Sequence, residues 1–138
     1  MHNDPPGIPF ARLVPGTVLP PLGVTVSAAA NERYWQAAGA DHPLLSAGAL
    51  YPPIAANLTV LCFNGVCPDQ VIQTRQLLRC HARGEAGIEL VTAGAVTDRY
   101  EKRGRDYVDV RAEIRAGDQL LWTSEVSFTP AATLKAQV

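Results

Sequence analysis

The sequence predicts an α+β domain in which an antiparallel sheet packs on one long helix. Two helical patterns occupy the first half of the chain, and segments that alternate apolar with polar residues fill the second half. With 138 residues, of which 47% are apolar and 18% charged, the chain has the length and composition of one globular domain. We therefore expect a single core that needs neither a metal nor disulfides.

The first half begins with a proline-rich arm, residues 1–21, which holds six of the eleven prolines and which we expect to be extended. A short strand is expected over 23–26. Ser27 is a good N-cap and Gly39 a good helix end, which together predict a helix over residues 28–38. The residues predicted for its buried face are Tyr34, Ala37 and Ala38.

A second, more apolar helix is predicted over residues 54–63, because Pro52 and Pro53 stand where the first turn of a helix tolerates proline. The strands predicted after it are 70–82, 87–100, 105–116 and 119–129. The apolar residues that alternate with charged ones in the third strand are Val108, Val110, Ala112 and Ile114. The residues predicted for the inner face of the fourth strand are Leu120, Trp122, Val126 and Phe128.

The composition also limits partners and compartment. A net charge of −1 argues against a nucleic-acid or anionic-membrane partner, so we expect a small ligand. The sequence shows neither a secretory signal nor the apolar run of about eighteen residues that a membrane helix needs. Its three cysteines cannot all pair with one another. We therefore expect a cytoplasmic protein in a reducing compartment.

Three other features have ordinary structural interpretations. The spacing of Cys62 and Cys67 permits a zinc site, yet no second well-spaced pair exists, so we expect buried free thiols and no metal. The mixed charges around Arg99 predict a solvated hairpin turn. Trp35 and Trp122 are expected in the core or at an interface.

The segment Gly39-Ala-Asp-His-Pro-Leu-Leu45 resembles the hydratase motif of MaoC-like hotdog proteins, in which a helix ends at Gly-Asp-x-Asn-Pro-x-His. The segment from Val96 to Val108 resembles that family's paired central strands and the Arg-Gly turn between them. The likeness covers about residues 12–130, and the order and spacing of the motifs carry it. It implies a single hotdog domain over 1–138, in which a curved antiparallel sheet wraps the helix at 28–38.

The resemblance also implies a function. Such proteins pair as hotdogs, bind an acyl thioester of coenzyme A or an acyl carrier protein, and add water to a trans-2-enoyl group or remove it from a 3-hydroxyacyl group. An aspartate and a histidine five positions later move the protons. With Gly39 and Pro43 aligned, Ala40 and Leu45 occupy those two positions, and neither can move a proton. The chain is therefore expected to be the non-catalytic, pocket-forming half of a hotdog heteromer.

Two alternatives remain open: a self-sufficient homodimeric hydratase or dehydratase, and a hotdog thioesterase or acyl-thioester binding module. The resemblance implies that a backbone N–H at the start of the second helix polarises the thioester carbonyl, with a plain packing helix as the alternative. Arg75 and Arg79 share one strand face, which favours a surface role but also allows contact with the phosphates of a pantetheine-bearing ligand. The candidate catalytic residues are Asp41 and His42, and the candidate substrate-binding residues are Tyr34, Pro43, Ala56, Asn57 and Arg75. The reaction requires no cofactor.

Overall fold

The computed structural model describes residues 7–39 and 43–131, without the side chains of Leu45 and Ser46. The helices are α1 (Ala28–Ala37), α2 (Pro43–Ser46) and α3 (Ile54–Asn64). The strands are β1 (Val18–Thr25), β2 (Val71–Cys80), β3 (Glu89–Lys102), β4 (Arg105–Ala116) and β5 (Gln119–Pro130). They form one antiparallel sheet in the order β1-β3-β4-β5-β2, which confirms the predicted α+β class. No helix among the described residues is long and apolar enough to cross a membrane.

The helix that the sheet wraps is α3, which contacts all five strands. Its buried residues are Ala55, Leu58, Thr59, Cys62 and Phe63. The prediction that the helix at 28–38 fills this place is wrong, since α1 buries only Asn31 and Trp35. The physical reason is composition: α1 carries a run of polar residues through its middle, whereas α3 is apolar on most of its surface and can enter a core.

The buried face of α1 also differs from the prediction. Tyr34 is 51% exposed, and Ala37 and Ala38 lie at the surface. The inward pair is Asn31 and Trp35, which are one turn apart and both donate side-chain hydrogen bonds to the carbonyl of Ala49, at 2.9 and 3.0 Å. Two side-chain hydrogen bonds therefore help to hold α1 against the chain ahead of α3, and a search for apolar stripes cannot detect such bonds.

The strands fall close to their predicted positions, and β4 begins and ends at the predicted residues. The four residues predicted for the inner face of β4, Val108, Val110, Ala112 and Ile114, are all buried. In β5, Trp122, Val126 and Phe128 face inward as predicted, but Leu120 does not. The register of β4 and β5 shifts between Ile114 and Arg115, so that Leu120 pairs with Arg115 and the extra residue Leu121 is buried instead.

The described part of the N-terminal arm, residues 7–21, is only partly extended. Residues Phe10–Arg12 form one 3-10 turn, and β1 already begins at Val18, so the last residues of the predicted arm belong to the sheet. Phe10 and Leu13 are buried against the end of α3. The arm therefore closes one end of the core instead of trailing from it.

Arg99 fixes this arm, and the prediction of a solvated turn charge is wrong for it. Its guanidinium donates to the carbonyls of Phe10 and Leu13, at 2.7 and 2.8 Å, and forms an ion pair with Asp106. It also lies over the Phe10 ring, 5.4 Å from the ring centroid. Phe10 and Leu13 are more than eighty residues from Arg99 in sequence, so no local pattern indicates these two contacts.

Candidate functional site

A cavity of about 340 Å³ lies beside the first turns of α3, a volume at the lower end of small-ligand sites. Its walls come from the end of β1, from α1, from the segment before α3 and from α3 itself. The aliphatic residues that line it are Val24, Val26, Ile54, Leu58 and Leu61. The lining residues with polar side chains are Tyr34, Tyr51 and Asn57. We call this space the α3 cavity.

The residues that line the α3 cavity are suited to binding a ligand and not to transferring protons. Among the described residues that line it there is no carboxylate and no imidazole, so no general acid and base face each other. The rings of Tyr34 and Tyr51 stack with centroids 6.3 Å apart and planes 11° apart. Tyr34 and Leu61 are each 51% exposed, which leaves one side of the cavity uncovered within the described residues.

Helix α1 positions the aromatic wall of the α3 cavity. The side-chain oxygen of Asn31 accepts a hydrogen bond from the backbone N–H of Tyr51, at 2.8 Å. The Trp35 ring meets the Tyr51 ring edge-on, with centroids 5.1 Å apart. The buried Asn31 therefore fixes the backbone of Tyr51, and the buried Trp35 packs against its ring.

The first turn of α3 uses its own backbone donors. Pro52 and Pro53 have no N–H, and the N–H groups of Ile54, Ala55 and Ala56 donate to the carbonyls of residues 51, 52 and 53, at 3.0–3.1 Å. The donor expected at Ala56 is therefore already paired, and a donor at Asn57 stays a prediction. The carbonyl of Ala56 accepts from the Gln76 side chain at 2.7 Å, which ties this turn to β2.

The structure brings some of the predicted site residues together and separates others. Tyr34 and Asn57 share the α3 cavity. Arg75 pairs with Ser127 on the outer face of the sheet, away from α3, and does not line that cavity. Pro43 begins α2 and is exposed. Asp41 and His42, like Ala40, lie outside the described residues.

Sequence reasoning missed Tyr51, the centre of the aromatic wall. Its only signal was an aromatic residue directly before Pro52 and Pro53, at the start of an apolar helix. Tyr51 is joined to α1 by a hydrogen bond to the buried Asn31, which is twenty residues away in sequence. A hydrogen bond between residues this far apart in sequence leaves no local pattern, so it becomes visible only in the folded structure.

The cysteines are free, and Cys62 and Cys67 are buried as predicted. Burial raises the pKa of both thiols above the ordinary value of 9.0, which disfavours the reactive thiolate. Cys80 is exposed. Within the described part of the chain, no three residues among His, Cys, Asp and Glu lie close enough together to hold a metal ion.

Neither a protein-family model nor a curated protein matches the sequence. Solved structures do match. The R-hydratase PhaJ1 from Pseudomonas aeruginosa superposes with a TM-score of 0.71 and 18% identity, over 90% of this chain and 86% of that one. The MaoC-like dehydratase from Rhodospirillum rubrum gives a TM-score of 0.71 and 15% identity, over 90% and 97%.

A third match is the HadBC complex, a 3R-hydroxyacyl-ACP dehydratase from Mycobacterium tuberculosis. It gives a TM-score of 0.66 and 20% identity, over 84% of this chain and 96% of that one. Similarity at such low identity establishes architecture, and the architecture agrees with the five-stranded sheet around α3. The chain has the hotdog fold, as the resemblance of its sequence to MaoC-like proteins predicts.

Proposed function

We propose that this chain is a MaoC-like acyl-thioester hydratase or dehydratase subunit that shapes the substrate pocket without carrying the proton-transfer residues. The substrate is an acyl thioester of coenzyme A or an acyl carrier protein, and a second hotdog subunit supplies the aspartate and the histidine. The complex works in the cytoplasm, where the free thiols stay reduced. No cofactor takes part.

The α3 cavity carries this proposal. It combines an aliphatic wall, which suits an acyl chain, with Asn57 and two tyrosines, which suit the polar thioester end. It offers no acid–base pair among its described lining residues, and the backbone donors of Ile54, Ala55 and Ala56 are already paired. A pocket with this lining holds an acyl group and leaves the chemistry to other residues.

The sequence at the motif supports the same division of labour. Ala40 and Leu45 replace the aspartate and histidine of the family motif. A methyl group and an isobutyl group neither donate nor accept protons, so hydration needs groups from elsewhere. Asp41 and His42 are the only local substitutes, and they are adjacent in sequence, which makes convergence on one substrate atom difficult.

The two sheet edges support a partner. β1 and β2 are the edge strands, and β1 carries Pro20 and Pro21, which cannot donate to a further strand. β2 has no proline over Val71–Cys80, and within the described residues it pairs only with β5. We infer that the second hotdog pairs along β2, as a homodimer or, in the catalytic complex, as a different subunit. The HadBC structure, named as a complex, is an example of such a heteromer.

The test is an assay of crotonyl-coenzyme A hydration, first with the purified chain and then after adding a hotdog protein that has both motif residues and is encoded beside it. Negligible turnover by the chain alone and turnover by the mixture above that of the partner alone are expected. Strong turnover by the chain alone that disappears in Asp41→Ala or His42→Ala would overturn the proposal in favour of a self-sufficient enzyme. Release of free thiol without hydration would overturn it in favour of a thioesterase.

A gain-of-function variant tests the alignment itself. Ala40→Asp combined with Leu45→His restores the family spacing, and we expect measurable hydration by the chain alone. The matched control, Ala38→Asp with Ala47→His, adds the same groups at exposed neighbouring positions and should stay inactive. A folded, inactive Ala40/Leu45 variant would contradict the assignment of those two positions.

A further inference from the structure

A second cavity, of about 370 Å³, lies on the outer face of the sheet, beside the hairpin that joins β3 and β4. It is separate from the α3 cavity, because the sheet lies between the outer face and α3. Its cationic lining residues are Arg75 from β2 and Lys102 and Arg103 from the hairpin, and its aromatic ones are Tyr100 and Tyr107. We call it the hairpin basin.

The hairpin basin is positively charged. Among the described residues that line it there is no carboxylate. None of Arg75, Lys102 and Arg103 forms an ion pair with another described residue, although Arg99 on the same strand pair binds Asp106. Three cations without ion pairs surround this concave surface, whereas the Asp109 carboxylate lies behind it, bonded to the hydroxyls of Tyr100 and Ser127. The excess positive charge attracts an anion, and arginine in particular matches the geometry of a phosphate.

The tyrosines give the hairpin basin a fixed aromatic surface. Tyr100 and Tyr107 are directly opposite each other on β3 and β4, and their rings stack with centroids 5.3 Å apart. The Tyr100 hydroxyl donates to Asp109 Oδ1 at 3.0 Å, and the buried Ser127 hydroxyl donates to the same oxygen at 2.7 Å. The ring is therefore held in place before any ligand arrives.

The backbone at Arg103 gives independent support. Arg103 has a φ of +53°, and it is the one residue other than glycine with a positive φ in the described part of the chain. Asparagine or glycine fits this position of a tight hairpin better. A strained backbone position that carries the long cationic side chain of arginine indicates that this side chain has a function.

We propose that the hairpin basin binds a small organic phosphate that carries a flat ring, of the nucleotide class. The phosphates lie between Arg75, Lys102 and Arg103, and the ring packs on the tyrosine pair. The volume of the basin is within the range of sites for small ligands. This binding does not depend on the hydratase role, because no residue of the α3 cavity takes part in it.

Calorimetric titration of the full-length protein with ADP tests the proposal. Adenosine, which has the ring but no phosphate, and inorganic pyrophosphate, which has no ring, are titrated in parallel, and we call these two compounds the half-ligands. We expect ADP to bind more tightly than either half-ligand. Arg75→Gln should weaken ADP binding roughly tenfold or more, since it removes charged hydrogen bonds. Tyr107→Leu should weaken ADP by roughly tenfold through loss of stacking and leave pyrophosphate unchanged. The matched control is Arg79→Gln, an exposed arginine on the same face of β2 that does not line the basin, and it should change nothing.

Arg103→Asn separates binding from folding. Asparagine relieves the strained backbone, so the melting temperature should rise while ADP affinity falls. No ADP binding by the folded protein, equal binding of pyrophosphate and ADP, or unchanged affinity in Arg75→Gln and Arg103→Asn would each overturn the proposal.

Free nucleotides and coenzyme A share the adenine and diphosphate groups, and a parallel titration with coenzyme A distinguishes them. If coenzyme A uses the hairpin basin, Arg75→Gln weakens it as it weakens ADP. If coenzyme A binds only at the α3 cavity, its affinity stays constant in Arg75→Gln while that of ADP falls. Both results support the basin as a nucleotide site, and loss of hydration in the subunit assay has no bearing on either.

Discussion

The side-chain amide of Asn31 joins two points of the chain at once: its oxygen accepts the Tyr51 N–H at 2.8 Å, and its nitrogen donates to the carbonyl of Ala49 at 2.9 Å. Asn31 is 2% exposed, so water cannot replace these bonds. The amide therefore sets the distance between α1 and the segment that forms the wall of the α3 cavity.

Replacing Asn31 with alanine should lower the free energy of unfolding by about 1–3 kcal/mol, because it removes the buried bond to the Ala49 carbonyl and the acceptor of the partly buried Tyr51 N–H. Urea denaturation of both proteins measures the change. The matched control is Gln36→Ala, which removes an exposed side-chain bond to Glu32 on the same helix and should change stability little. Equal stability of Asn31→Ala and the parent protein would contradict a structural role for the amide.

Arg99→Gln should loosen the N-terminal arm. The shorter neutral side chain loses the ion pair with Asp106 and the bonds to the arm carbonyls, at a cost of about 1–3 kcal/mol. Limited proteolysis should then cut the arm faster, while the sheet stays intact. Arg103→Gln, in the same hairpin but without contact to the arm, should be cut at the parent rate. Equal cutting rates in the two variants would show that Arg99 does not hold the arm.

The three thiols should react with a disulfide reagent at different rates. Cys80 is exposed and should react at once in the folded protein, whereas Cys62 and Cys67 should react only as the protein unfolds. Absorbance of the released thiolate, followed with and without denaturant, counts the accessible groups. A Cys80→Ser variant should show no fast phase, and a remaining fast phase would mean that a buried thiol is accessible.

The free energy of unfolding should fall in alkaline solution, because Cys62 and Cys67 are buried in the folded protein. In the unfolded chain the thiols ionise at their ordinary pKa of 9.0, whereas burial raises the pKa of Cys62 and Cys67 in the folded chain. Above pH 9.0 the unfolded state therefore loses protons that the folded state keeps, and stability falls until the folded pKa values are passed. Below that pH this contribution is fully present. Urea midpoints measured across this range in the parent and in Cys62→Ala should show a flatter decline in the variant, and identical declines would contradict the assignment.

Two glycines should respond oppositely to alanine. A Cβ at Gly84 would lie 2.8 Å from Cη2 of Trp122 and 3.2 Å from Cδ2 of Leu50, so Gly84→Ala should cost about 1–3 kcal/mol by overpacking. A Cβ at Gly65 meets nothing nearer than 3.5 Å, and its φ of −69° suits alanine. Gly65→Ala should therefore be neutral or slightly stabilising. The melting temperatures of both variants test this prediction. An unchanged melting temperature in Gly84→Ala would contradict it and show that the Trp122 indole can move to make room for the methyl group.

The strands and the second helix could be predicted because their signals are local. Alternation of apolar and charged residues fixed β4 from Arg105 to Ala116, and Pro52 and Pro53 marked the start of α3. Local signals do not show which of the two helices packs inside the curved sheet. A sequence pattern shows that a helix has a buried face, but the choice between α1 and α3 depends on how much apolar area each can bury against the whole sheet.

The errors arose where distant parts of the chain meet. A single extra residue in β5 turned Leu120 to the outer face, since strand alternation assumes an unbroken register. Arg99 and Asn31 find their partners through folding, over separations that sequence windows do not cover. Of the α3 cavity, Tyr34 and Asn57 were predicted, whereas Tyr51 and the aliphatic wall required the three-dimensional arrangement.

The two prolines of β1 have a consequence for assembly on a larger scale. A molecule with two receptive sheet edges can add copies at both ends and grow into a fibre, which is a hazard for any sheet-rich protein at cellular concentration. Here Pro20 and Pro21 remove two donors from the middle of the β1 edge, so we expect this edge not to add a further copy. These two residues would thus confine growth through the sheet to the β2 edge and protect the protein from polymerisation.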